Sequence, residues 1–348
     1  VILLDDASSD NSSEILEQYH DRADVRIVRN QVNSGSSFKQ WLKGIELAHA
    51  DIWWFAESDD LCEPNFLENL LPAFRNPNVK LAYANSHIID ENDVITGDYT
   101  VTEYLTSLSP TKWTKDYQVT AEQEINDGLG VKNTILSASS ALFRKFDLSS
   151  EMRSTLESMR IAGDWYFNIH AIKGGEVFYT PQKLNYHRRH SESVIGKLLK
   201  QNQVTDFFRE FYIVQDAIFG NYQLSEVFRT KWEQYLRHQW NAFYPDRSFE
   251  DLKIYYPLDA ARKQITASSL NPNLTVDLEG PQSDQSTVTS PRQKTSVIIP
   301  NFNHEAYIER RVNSIVNQSV KPDEIIFLDD ASTDKSLSIA EEIMKRSN

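Results

Sequence analysis

The chain has 348 residues, enough for one large core or two moderate ones, and its 40% hydrophobic and 25% charged residues are those of a soluble globular protein. No apolar run approaches the roughly 20 residues of a membrane-spanning helix, and nothing resembles a signal peptide. A formal net charge of −14 argues against broad binding to nucleic acid or to an anionic membrane, while the lone Cys62 excludes an internal disulfide and a cysteine zinc site and favours a reducing cytoplasm.

Val1 opens directly in an apolar run without an initiator Met, from which an upstream part is expected to be missing. Val1–Leu4 has the continuous apolar pattern of a buried parallel strand. Asp5–Ser13 is turn chemistry leading into a helix near Ser12–Tyr19, with Asp10, Asn11 and Ser12 as caps. Val25–Val28 reads as a second strand and Phe38–Ala48 as a helix. Ile52–Ala56 reads as a third strand, ending in the acidic cluster Glu57-Ser58-Asp59-Asp60. Leu81–Ile89 and Ala138–Phe143 are further strands, Asp164–Ile172 a helix, and Val177–Tyr179 a last strand before the basic stretch YHRRH. Strands that alternate with helices build βαβ units, and ligands of such sheets bind beyond the carboxyl ends of the strands. The clusters DDASSD and ESDD both stand at such ends.

From Val204 the texture changes. Phe207, Phe211, Val214 and Ile218 fall on one helical face, and Val227–Trp240 continues as an aromatic-rich helix. These read as helices packed on the sheet domain or on each other; an amphipathic helix lying on a membrane is the alternative. Residues 264–294 are polar and rich in Ser, Thr and Pro, the composition of a linker. After them TSVIIP is again a buried-type strand, followed by a helix around Ala306–Asn317 and the strand Glu324–Leu328.

The chain repeats itself. Aligning residue 1 with residue 325 pairs VILLDDASSD with IIFLDDASTD and gives ten identities in seventeen positions, the mark of duplication. The C-terminal stretch TSVIIPNFNHEAYIERRVNSIVNQSVKPDEIIFLDDASTDKS resembles the opening of a family 2 glycosyltransferase of the GT-A fold. Residues 1–195 resemble the remainder of such a domain, through DDASSD, ESDD, SASSALFRKF, GDWYF and YHRRHSES in the family's order.

The resemblance implies an α/β protein with a mostly parallel sheet flanked by helices, followed by a helical segment. Residues 1–197 would form a GT-A domain lacking its first strand, 198–263 a helical extension, 264–294 the linker, and 295–348 the start of a second GT-A domain. It implies inverting, metal-dependent transfer of a sugar from a nucleotide-diphosphate sugar to a glycan or lipid-linked acceptor. The pathway would be bacterial surface polysaccharide synthesis, in the cytoplasm or at the inner face of the membrane, with Mn²⁺ or Mg²⁺ as cofactor and no nucleic-acid partner.

Site residues follow on the same terms. Asp5 and Asp6 would accept hydrogen bonds from a base N–H and from ribose, and Asn33 and Gly35 would approach the nucleotide. In the C-terminal copy Pro300, Phe302 and Asn303 match the nucleoside pocket, Phe302 stacking on the base. Glu57 stands toward ribose or metal, and Asp59 is the metal ligand with Asp60 in support, since hard cations take oxygen ligands. Asp164 of GDWYF is the catalytic base. Arg188 and Arg189 would pair with the diphosphate on a closing loop, and His190 would touch metal or diphosphate. Each also has a plainer reading as helix cap, acidic turn or surface loop, and Trp41 reads as core. No GxxxxGK[ST] loop is present, which disfavours an NTPase. The rival functions are a non-catalytic binding module that keeps the fold and a signalling domain that binds Mg²⁺ at its strand ends.

The first copy lacks the central strand that TSVIIP supplies in the second. The expectation is that Ser296–Pro300 crosses back to pair with both Val1–Leu4 and Ile52–Phe55, placing Pro300 and Phe302 beside Asp5.

Overall fold

A computed structural model describes residues 2–4, 26–27, 34–189, 204–269, 293–301, 304–329, 332 and 334–346. The helix expected near Ser12–Tyr19, and Asp5, Asp6, Asn33, His190, Phe302 and Asn303, lie outside the described residues. The strands are β1 (Ile2–Leu4), β2 (Arg26–Ile27), β3 (Ile52–Phe55), β4 (Leu61–Cys62), β5 (Val79–Ile89), β6 (Ile95–Asp98), β7 (Tyr117–Thr120), β8 (Ala141–Arg144), β9 (Glu176–Arg188), β10 (Thr295–Asn301) and β11 (Glu324–Asp329). The longer helices are α1 (Ser37–Leu47), α2 (Ser150–Ser158), α3 (Gly163–Ala171), α4 (Val204–Asn221), α5 (Glu226–Phe243), α6 (Leu258–Ser269), α7 (Glu305–Val316) and α8 (Ser336–Arg346).

All the strands join one sheet in the order β2-β1-β11-β10-β3-β8-β5-β9-β4, with β6 on β5 and β7 on β9. The run from β2 to β3 is parallel, and β8 lies antiparallel between β3 and β5. This is the expected α/β class. Alternating side chains leave the central strands on opposite faces. Trp53, Phe55 and Ile298 face α1 and α3, with Phe55 stacked on Trp41 at 4.3 Å. Ile52, Trp54, Val297 and Phe327 face α7 and α8.

The C-terminal segment is not laid out as a separate body. β10 pairs with β3, Val297 opposite Trp54, so it fills the gap in the middle of the sheet. Its other edge is taken by β11 and not by Val1–Leu4, which corrects the expected pairing. β1 sits one place further out, against β11, with Ile2 opposite Ile326 and Leu4 opposite Leu328. The reason is connectivity. β10, α7 and β11 form one short βαβ unit, so closing that pair costs little loop entropy, whereas β1 reaches the sheet along the whole length of the chain.

Two more boundaries move. β9 does not stop at Tyr179 but continues to Arg188, because β5 runs on to Ile89 and each of its backbone groups needs a partner. Arg188 is therefore a strand residue and not part of a loop. α6 extends to Ser269, past the point where the linker composition begins. In the extension, Phe208, Val214 and Ile218 of α4 and Trp232, Leu236 and Trp240 of α5 are buried. Trp165 of α3 meets Phe211 edge to face at 4.8 Å, so the apolar face of α4 packs on the sheet domain and the membrane-lying alternative is set aside.

Candidate functional site

β3 delivers the acidic turn. Its end is pinned to the C-terminal segment, Ala56 N donating to the Ile298 carbonyl at 2.6 Å, and the chain then leaves the sheet through Glu57–Asp60. Glu57 accepts from Trp41 Nε1 at 3.0 Å, and its own N–H donates to Ser139 Oγ at 3.0 Å. Burial, reinforced by the Asp59 charge, pushes its carboxyl up to about 8. Trp41 is thus core, as expected, and also a site partner. Ser58 Oγ and His304 Nδ1, 2.5 Å apart, tie the turn to the start of α7.

Two of the expected site residues are tied into the protein here. Arg188 is 2% exposed, and its guanidinium is engaged within the protein. Nε donates to the Asp59 carbonyl at 2.7 Å, Nη1 donates to the Asp90 carbonyl at 2.5 Å, and Nη2 pairs with Asp93 at 2.6 Å. It braces the acidic turn through all three of its guanidinium nitrogens. Asp60 accepts from Ser137 Oγ at 2.8 Å and from the Arg188 N–H at 2.9 Å, so each of its oxygens also carries an internal hydrogen bond.

Asp164 is the second residue of α3. Its Oδ2 accepts from Asn133 Nδ2 at 2.8 Å and its Oδ1 from the Trp165 N–H at 2.7 Å. Burial pushes the carboxyl up to about 6 against those hydrogen bonds, with the Glu210 charge acting in the same direction. The helix comes close because Gly163 has no side chain: a Cβ there would lie 2.5 Å from the Phe38 ring. The loop before it is held by Glu210 of α4, whose carboxylate accepts the N–H groups of Arg160, Ile161 and Ala162 at 2.9, 2.8 and 2.8 Å. A charged acceptor with three backbone donors is a strong local anchor.

The acidic turn and Asp164 open onto one cavity of about 820 Å³. Glu57, Asp59, Asp60, Asp164 and Arg189 all line it. Arg189 Nε donates to Tyr99 Oη at 3.1 Å, and Tyr99 Oη lies 2.7 Å from His187 Nδ1. Pro300 and Gly35 do not line the cavity: Pro300 is buried in β10 opposite Leu328, and Gly35 takes a left-handed φ of 67° just before α1. Glu210, Asn133 and Tyr99 were not singled out from the sequence, since single polar residues in helices and loops carry no spacing signal. Ser137 and Ser139 lie inside the quoted SASSALFRKF motif, which could have flagged them.

Among the described residues no three His, Cys, Asp or Glu side chains gather closely enough to hold a metal unaided. What the turn offers is a pair of carboxylates, Glu57 and Asp59, close enough for the second to raise the pKa of the first. That donor set fits a hard divalent cation whose remaining ligands come from a substrate.

The model of glycosyl transferase family 2 matches residues 1–150 and 296–348, more than half of the chain. The chain belongs to that family. Asp164 and the helical extension fall between the two matched segments of this family 2 chain. The curated relatives are matched only in part. Glycosyltransferase GlyG of Streptococcus pneumoniae is 29% identical over 93 residues, 27% of this chain and 31% of that protein. The GalNAc(5)-diNAcBac-PP-undecaprenol beta-1,3-glucosyltransferase of Campylobacter jejuni is 42% identical over 52 residues, 15% of this chain and 17% of that protein. The matched segments thus span less than a third of these relatives' length. Among solved structures, TarS of S. aureus in complex with UDP is 15% identical, with a TM-score of 0.46 over 77% of this chain and 79% of that one.

Proposed function

We propose that this family 2 chain is an inverting transferase that moves a sugar from a nucleotide-diphosphate sugar to a hydroxyl of a glycan or lipid-linked acceptor, in bacterial surface polysaccharide synthesis at the cytoplasmic side. The observation that carries the reading is the shared cavity: an acidic turn suited to a diphosphate-bound cation and a buried carboxylate suited to proton abstraction face the same space. The acceptor oxygen attacks the anomeric carbon, the bond from that carbon to the diphosphate oxygen breaks, and the hydroxyl proton passes to Asp164. Asn133 and the Trp165 N–H orient the Asp164 carboxylate. Arg189 is the lining guanidinium on the acidic-turn side and the candidate partner of the diphosphate. Asp59, with Glu57, would hold Mn²⁺ or Mg²⁺, and a divalent cation supplies charge neutralisation to the leaving diphosphate. The repeat belongs to the same proposal: β10 to α8 are the opening of a second transferase unit that here completes the first sheet.

The test is release of nucleoside diphosphate from UDP- and dTDP-sugars with Mn²⁺. Asp59→Ala and Asp164→Asn are each expected to lower the rate by about 10³-fold or more, a loss of about 4 kcal/mol of transition-state stabilisation. Because the base must be ionised, wild-type activity should fall as pH drops through about 6. The same shift has a stability consequence. A carboxyl whose folded pKa lies above its unfolded value of 3.8 favours the fold while protonated, and that contribution is lost as pH rises through about 6. Asp164→Asn should therefore be more stable than wild type at pH 8, by about 1–3 kcal/mol, and equal to it below pH ~4. Tight nucleotide binding without turnover would favour the non-catalytic module instead.

A further inference from the structure

One wall of the cavity comes from the helical extension, outside the segments that the family model matches. Phe207 and Phe211 of α4 and Tyr235, Gln239 and Phe243 of α5 line it together with Asp164. Their rings form a continuous surface. Phe207 lies 4.7 Å from Phe211 and 5.6 Å from Phe243, and Phe211 stacks on Tyr235 at 5.9 Å with 27° between the planes. Phe207, Tyr235, Gln239 and Phe243 are only partly buried, whereas Phe208, Leu236 and Trp240 of the same helices fill the core. The helices are thus packed through other residues, and these rings stay open to the cavity. Asp164 is bound to the same side by the Trp165–Phe211 contact and by the Glu210 anchor of the loop before it.

We infer that the extension forms the acceptor subsite, and that its occupant is a neutral hexopyranose ring whose C–H face stacks on Phe207, Tyr235 and Phe243 beside Asp164. The inference rests on the transferase reading and adds to it the place and chemical class of the acceptor. A bare alkyl chain suits this wall less well. The Tyr104 and Tyr235 side chains hydrogen-bond each other, but Gln239 also lines this wall, and covering its amide without a hydrogen bond costs free energy. A pyranose offers both an apolar face and a rim of hydroxyls. An anionic ring finds little to meet its charge. Lys132 Nζ sits 4.1 Å over the Tyr104 ring and 5.1 Å over the Tyr235 ring, and it donates to Ser107 Oγ at 3.0 Å. Arg160 is exposed, Arg189 is assigned to the diphosphate, and the Asp164 carboxylate on this cavity would repel an anionic ring.

The experiment is saturation-transfer NMR on the full chain without donor. The probes are methyl β-D-glucopyranoside, methyl β-D-galactopyranoside and the methyl glycoside of N-acetylglucosamine, with n-octanol as the apolar control and UDP measured separately. At least one pyranoside should bind through its ring C–H protons. That binding should weaken at least tenfold in Tyr235→Ala and Phe243→Ala and return in Phe243→Trp, which restores an aromatic face and guards against simple loosening of α5. Three results overturn the inference: no pyranoside binds wild type, the variants bind as well as wild type, or n-octanol alone shows the dependence on these residues. UDP binding is read independently, so its absence counts against the transferase reading and not against the subsite.

Discussion

The two copies of the repeated element share both aspartates, the Ala-Ser pair and the final Asp, and their strands lie side by side in the register of the repeat, Ile2 against Ile326. Their positions differ. β11 is an inner strand, paired with β10 on one edge and β1 on the other, with Ile326, Phe327 and Leu328 fully buried. Among the described residues, the two-residue β2 is what flanks β1 outward. Similar sequence thus occupies unlike environments, because a strand's place is decided by what it is tethered to as well as by its side chains. The inner copy also shows what its first aspartate does. Asp329 is buried and accepts from Asn301 Nδ2 and, at 3.0 Å, from the Ser332 N–H, while Asp334 accepts the Glu305 N–H at 2.8 Å and so joins the starts of α7 and α8. In this copy the first aspartate is a structural knot at the strand end.

The contrast between the copies can be broken at three scales. Deleting 293–348 should abolish cooperative thermal unfolding, since it strips the centre of the sheet and one of its two covering layers. Deleting 1–30 should move the midpoint by about 5 °C or less. Comparable losses from the two deletions would mean that inner and outer copies carry equal weight. At single residues, Ile326→Ala should cost about 2–4 kcal/mol by denaturant titration and Ile2→Ala less than about 1 kcal/mol. The smallest difference is expected at the aspartates. Asp329→Ala should cost about 1–3 kcal/mol because Asn301 and Ser332 lose a buried acceptor, and Asp5→Ala should cost less than that. A larger loss at Asp5 would reverse the assignment of the structural role.

Much of the architecture was legible in the residues. The apolar runs at 52–56 and 295–300 could only be buried strands, and the helical spacing of Phe38, Trp41, Leu42 and Ile45 could only face a core. The acidic turn after β3 and the aspartate opening α3 were readable as chemistry because strand ends and helix starts expose polar groups toward ligands. Hydrogen-bond partners were not. Nothing local announces that Arg188 would be drawn into bracing Asp59 and Asp93, that Asp60 would be taken up by Ser137, or that Glu210 would reach 48 to 50 residues back to anchor the loop before Asp164.

By itself the sequence determined the α/β class, the repeated motif and the identity of the carboxylates that meet in the cavity, since periodicity and motif order are properties of neighbouring residues. Only the tertiary structure decided which copy of the repeat enters the sheet centre, which charged groups are engaged within the protein, and that the helical extension supplies a wall of the site. Those outcomes depend on contacts between residues far apart in the chain, where chain connectivity and the need to satisfy buried polar groups outweigh local preference.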